Sequence, residues 1–148
     1  MPVTEFHGVT SGSRHGVRPG IGLYEFTLTN GAPVRVHDTS LRRLVWEPGA
    51  SAALALVFEW AHGWVPPELE GTPFVIMQFA GVRIRRWDED DQPLVLHAGR
   101  REDPSGQVSY FDWDGRSLFD LATLNCTLSF TADSVTVAAS ATGDAPRR

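Results

Sequence analysis

The chain reads as an all-β domain, an antiparallel sandwich or strongly curved barrel-like sheet of about 8–10 strands. Three observations carry that expectation. Apolar residues alternate with a period of two in short runs from Leu23 to Val137, and successive side chains leave a pleated strand on opposite faces. Turn chemistry such as Asn30-Gly31, Pro48-Gly49 and Asp114-Gly115 separates the runs. No segment sustains apolar positions at helical spacing.

Residues 1–20 are rich in Gly, Ser, His and Arg without periodicity and read as a flexible N-terminal arm. Residues 21–139 form a single β domain, and the small, polar residues 140–148 a flexible tail. Tyr24, Phe26 and Leu28 alternate, Asn30-Gly31-Ala32-Pro33 supplies a turn, and Val34-Arg35-Val36 returns as the second strand of a hairpin. Past polar His37 to Ser40, Leu41 to Trp46 and Leu54 to Trp60 are strands expected to pair antiparallel across the turn Glu47 to Ala50. In the second of these, Leu54, Leu56, Phe58 and Trp60 face one way; Ala55, Val57 and Glu59 face the other.

Ala61 to Pro73 is one long irregular stretch. Phe74 to Phe79 is a strand, Ala80-Gly81 a bulge or bend, and Val82 to Trp87 its continuation. Asp88 to Asp91 reads as an acidic turn, and Gly99 to Gly106 as a loop between strands Leu94–His97 and Val108–Trp113. Ser117 to Leu121 is compatible with a helical turn in which Ser117 and Asp120 cap each other. A closing hairpin runs from Leu124 to Phe130, turns at Thr131-Ala132-Asp133, and returns over Ser134 to Ala138. The expected core includes Phe26, Leu54, Leu56, Phe58, Ile76 or Met77, Leu96, Leu128 and Val135.

The 148 residues, 42% apolar and 21% charged, are enough to bury a core without metal or disulfide support. The single cysteine, Cys126, shares a face with Leu124, Leu128 and Phe130 and reads as a buried structural thiol suited to a reducing cytoplasm. No apolar run is long enough to span a bilayer, and Met1 to Glu5 lacks a signal-peptide pattern, so a cytoplasmic protein without a membrane partner is expected. A net charge of −5 argues against binding nucleic acid through its backbone. All 13 basic side chains are arginine, which leaves no lysine for Schiff-base or base chemistry.

The five histidines, His7, His15, His37, His62 and His97, show no short ligand spacing, so neither metal nor cofactor is expected. His37-Asp38 reads as a polar corner, because adjacent strand residues face opposite ways. There is no nucleophile elbow or phosphate-binding glycine loop, and no catalytic residue is assigned. The aromatics are more suggestive. Of five tryptophans, Trp60 lies on an apolar face, Trp64 sits in the long loop, and Trp87 and Trp113 end strands beside acidic turns. A ring that anchors beside carboxylates that steer suits a basic protein partner. The candidate partner-binding set is therefore Trp64, Trp87, Asp88, Glu89, Asp90, Asp91, Asp112, Trp113 and Asp114; the competing reading is that strand-end tryptophans lid the core.

The order of elements from Val36 to Val137 resembles the small all-β immunity proteins of bacterial polymorphic-toxin systems. The residues that carry this are His37-Asp38-x-x-Leu41-x-x-Leu44, Leu54-x-Leu56-x-Phe58, a Pro-bearing loop, Val75-x-Met77-x-Phe79-x-Gly81-Val82, then Trp87 and a closing hairpin. The resemblance implies a non-enzymatic protein that neutralises a cognate toxin by binding it, without a cofactor. An acidic surface would occlude a basic toxin site. The alternative is a small-molecule-binding β-barrel, or an enzyme built on one, with Tyr24, His97 and Tyr110 lining a cavity.

Overall fold

The computed structural model describes residues 3–10, 25–36, 39–60, 65–89, 92–93, 99–123 and 126–143, with backbone alone at 25, 89, 92–93 and 99–106. In chain order the strands are β1 (Glu5–His7), β2 (Glu25–Thr27), β3 (Pro33–Arg35), β4 (Thr39–Glu47), β5 (Ala53–Trp60) and β6 (Phe74–Ala80). They continue as β7 (Arg83–Glu89), β8 (Gln92–Pro93), β9 (Gly99–Trp113), β10 (Leu118–Thr123), β11 (Cys126–Thr131) and β12 (Ser134–Ser140). A 3-10 turn, Pro67–Leu69, lies between β5 and β6, and there is no α-helix among the described residues. The protein is all-β.

Ten strands form one sheet in the order β1-β12-β6-β5-β4-β9-β10-β11-β7-β8, and β2-β3 form a small second sheet. Only β1 and β12 pair parallel among the described strands. The large sheet is not a closed barrel, since β1 and β8 remain as edges. It curves until two halves face each other. The first half is β12, β6, β5, β4 and the start of β9; the second is the end of β9, β10, β11 and β7.

Two structures link the halves. Strand β9 pairs with β4 through Gln107 and with β10 from Val108 onward. On the other side, β6 runs into β7 while β11 runs into β12, and the two chains stay paired through the bend. Strands that switch sheets in this way need a local break in the pleat. Gly81 provides it with a φ of +65°, and the Asp133 amide donates to the Ala80 carbonyl at 2.9 Å to keep the ribbon joined. A Cβ at Gly81 would collide with the Asp133 carboxylate, so this position combines a glycine backbone with space for hydrogen alone.

Between the halves lie five phenylalanines, Phe58, Phe79, Phe111, Phe119 and Phe130, each no more than 1% exposed. Phe79 of the first half meets Phe119 at 5.1 Å and Phe130 at 4.8 Å, both edge-on, while Phe119 stacks on Phe130 at 5.3 Å. Edge-on and offset rings gain from quadrupole complementarity as well as burial. Phe26, Leu54, Leu56, Phe58, Ile76, Met77, Leu128 and Val135 are all buried, as expected; Leu96 lies outside the described residues.

The hairpin β2-β3 forms as expected, with Asn30 Oδ1 accepting from the Ala32 amide at 2.9 Å inside its turn. So do the pair β4-β5, the bend at Gly81 and the turn at Asp114-Gly115. Other expectations are corrected. Residues 3–10 are no loose arm: β1 joins the sheet and Val9 bridges to Leu28. Gly99 to Gly106 is strand rather than loop, because β4 offers a partner to its backbone whatever its side chains. Leu118 to Leu121 lie in β10, not in a helical turn. The closing segments do not pair with each other: β11 pairs with β7 and β12 with β6, so Thr131 to Asp133 is a corner instead of a hairpin turn. Leu94 to His97 and residues 61–64 lie outside the described residues.

Gly81→Ala should destabilise the protein by roughly 1–3 kcal/mol, since it adds both a strained φ and an overpacked contact. Phe79→Ala should cost roughly 3–5 kcal/mol. Urea unfolding followed by fluorescence measures both, and a loss well below these values would disconnect the corner or the ring cluster from stability.

Candidate functional site

In the second half, side chains that do not enter the phenylalanine cluster point outward. Pairing register arranges them in two rows. One row runs Asp112 (β9), Asp120 (β10), Ser129 (β11) and Arg86 (β7); the next runs Tyr110, Ala122, Thr127 and Asp88. Neighbouring strands lie about 4.8 Å apart, so the rows form one continuous surface. Tyr110 is 37% exposed and, with Val3, is one of two large apolar side chains left exposed among the described residues.

The charges on this face are unevenly compensated. Arg86 Nε donates to Asp88 Oδ2, and that hydrogen bond, followed by the Asp88 charge, holds the guanidinium above its ordinary range; Tyr110 adds to the effect and desolvation opposes it. Asp112 and Asp120 stand directly across from each other, an arrangement of like charges that costs stability. Ser129 Oγ donates to Asp120 Oδ1 at 2.7 Å and offsets part of that cost. Asp112 is exposed and has no ion-pair partner among the described residues. The face therefore offers a tyrosine ring beside two adjacent carboxylates. A guanidinium or ammonium group could bridge the carboxylates and lie against the ring.

Of the residues singled out in the sequence, Asp88 and Asp112 fall on this face. Trp87 and Trp113 do not. They are 7% and 6% exposed, in register with Leu128 and Phe119, and Trp113 packs edge-on against Phe6 at 4.8 Å. The correction has a simple cause: a residue next to an outward carboxylate on a strand must point inward. The lid reading of these two tryptophans is the one the packing supports. Their indole N–H groups have no hydrogen-bond partner among the described residues, a cost set against the burial of the rings.

Asp88 and Glu89 belong to strand β7 and not to a turn. Asp114 is exposed, but its Oδ1 accepts from the amides of Arg116 at 2.7 Å and Leu118 at 3.1 Å, which commits it to shaping the β9-β10 turn. Trp64, Asp90, Asp91, Tyr24, His37, Asp38 and His97 lie outside the described residues, as does the Glu89 side chain. Tyr110 points outward, which removes it from the cavity proposed for a ligand-binding barrel. Tyr110, Asp120, Ser129 and Arg86 were not marked as a surface by sequence. Stepping one residue along each strand from the apolar positions Phe111, Phe119, Phe130 and Trp87 reaches all four, because strand neighbours face opposite ways.

Among the described residues no three His, Cys, Asp or Glu side chains gather as a metal-binding group. No described helix is long and apolar enough to cross a membrane. A half-open groove at the corner is bordered by Val3, Glu5, Arg83, Ser117, Thr131 and Asp133. Comparison of the chain with known protein families, with characterised proteins and with solved structures finds no match.

Because Trp113 and Trp87 are core, Trp113→Ala or Trp87→Ala should lower stability by roughly 3–5 kcal/mol. Thermal or urea melts of the isolated protein check this, and unchanged melts would return both rings to the surface.

Proposed function

We propose that this protein is a non-enzymatic binding protein that presents the outer face of β9-β10-β11-β7 to a basic protein partner. The observation that carries the reading is the pair Asp112-Asp120 beside exposed Tyr110, with Asp88 in the adjoining row. The overall charge of −5 favours the same sign of partner. The sequence resemblance to immunity proteins supplies a candidate for that partner, a bacterial toxin domain whose basic substrate cleft the acidic face occludes in the cytoplasm. Carboxylates fixed on a sheet suit this role because few side-chain conformers are lost when they bind.

The division of labour is testable. Carboxylates at the rim of an interface act mainly on association, and a packed aromatic acts mainly on dissociation. The partner, recovered on the immobilised protein from its source cells and purified, serves for kinetics at two salt concentrations. Changing Asp112 and Asp120 together to Asn should slow association about tenfold at low salt and flatten its salt dependence. Tyr110→Ala should speed dissociation instead. Unaltered rates in both variants would move the interface off this face, and a partner whose expression does not harm cells lacking this protein would end the toxin reading.

A further inference from the structure

The outer face of the first half poses a separate question. On β5 and β6, Val57 and Ile76 point away from the phenylalanine cluster, yet they are 0% and 4% exposed. Ordinary alternation would leave them in water. The sequence accordingly places Val57 on the opposite face from Leu56 and Phe58.

Two features lie on the same side of the sheet as these side chains. Strand β4 carries a bulge between Leu41 and Arg43, so that Leu41 and Leu44 both turn inward while Arg42 and Arg43 stay on the outer side. Arg42 Nε pairs with Glu59 Oε1 at 3.1 Å, and Arg43, the cross-strand neighbour of Val57, donates from Nη1 to the Gly143 carbonyl at 2.8 Å. The chain reaches that point by leaving β12 at Ser140, the partner of Phe74. Ser140 Oγ accepts from the Thr142 amide at 3.2 Å, which turns the chain, and Gly143 comes to rest against the Phe74 ring, where an added Cβ would lie 3.1 Å from a ring carbon.

We infer that residues 141–143 form a strap, fastened by Arg43 across β5 and β6, that seals the apolar strip of Val57 and Ile76. The strap corrects the expectation of a loose tail from residue 140 for its first residues. The bulge in β4 is what aims the fastening side chain, a known use of bulges. Opening the strap, which the Arg43–Gly143 hydrogen bond and the turn at Ser140 help to hold, bares an apolar surface.

Hydroxyl-radical footprinting of Phe74 and Ile76, with inward-facing Leu56 as the internal standard, tests the strap. It is applied to the full chain, to Arg43→Ala, to a chain ending at Ser140 and to a chain ending at Gly143. Oxidation of Phe74 and Ile76 should rise severalfold in Arg43→Ala and in the chain ending at Ser140, and stay at the full-chain level in the chain ending at Gly143. Leu56 should remain protected throughout. Phe74 and Ile76 as protected without residues 141–143 as with them would overturn the inference. So would a parallel rise at Leu56, which would mark general loosening. If Arg43→Ala fails to fold, the two truncations decide between the outcomes.

Discussion

Two adjacent chains cross from one half of the sheet to the other at the same place, and the crossing is possible because Gly81 carries no side chain. The facing of the two halves depends on that corner together with the crossing of β9. The corner turns β6 into β7 beside β12 and β11, so the strands on either side face each other across Phe79. The rings then fill the space that the bend creates. A straight ribbon would leave the same residues on one open sheet with a large apolar face in water, and the burial that stabilises the fold would be lost. The corner also settles which surface is outward in the second half, and so where Asp112, Asp120 and Tyr110 are displayed.

Much of this was legible in the sequence wherever the signal was local. Asn30-Gly31, Asp114-Gly115 and the alternating run Leu54 to Trp60 each specify their own structure within a few residues, and Gly81 announced a break inside a strand. What escaped depends on partners far along the chain. Gly99 to Gly106 holds arginines, acids, a proline and glycines, a composition read as loop, yet β4 pairs with it. Thr131 to Asp133 has the residues of a hairpin turn, and only the presence of β6 and β7 alongside decides that it is a corner. β-Propensity is weak beside such tertiary pairing.

The surface shows the same division. Placing Trp87 with Asp88, and Trp113 with Asp112 and Asp114, treated neighbours in sequence as neighbours in space. On a strand they are on opposite sides of the sheet, and that rule was already enough to separate them. The residues that do share a face come from four strands, joined by register that no single stretch of sequence contains.

A binding surface built on a sheet differs physically from one built on acidic turns. On a turn, each carboxylate must be ordered when a partner arrives, at a cost in side-chain and backbone entropy. On the outer face here the backbone is already fixed by pairing on both sides, Asp120 is held by Ser129, and Asp88 is held by Arg86. The like-charge contact between Asp112 and Asp120 is a cost the fold carries in isolation. A cation placed between them would remove that cost, and under the proposed function this relief would add to the driving force for binding. Tyr110, next along β9, gives such a cation an aromatic surface at the same spot. Under the proposed function, the arrangement would favour charge complementarity over simple apolar burial.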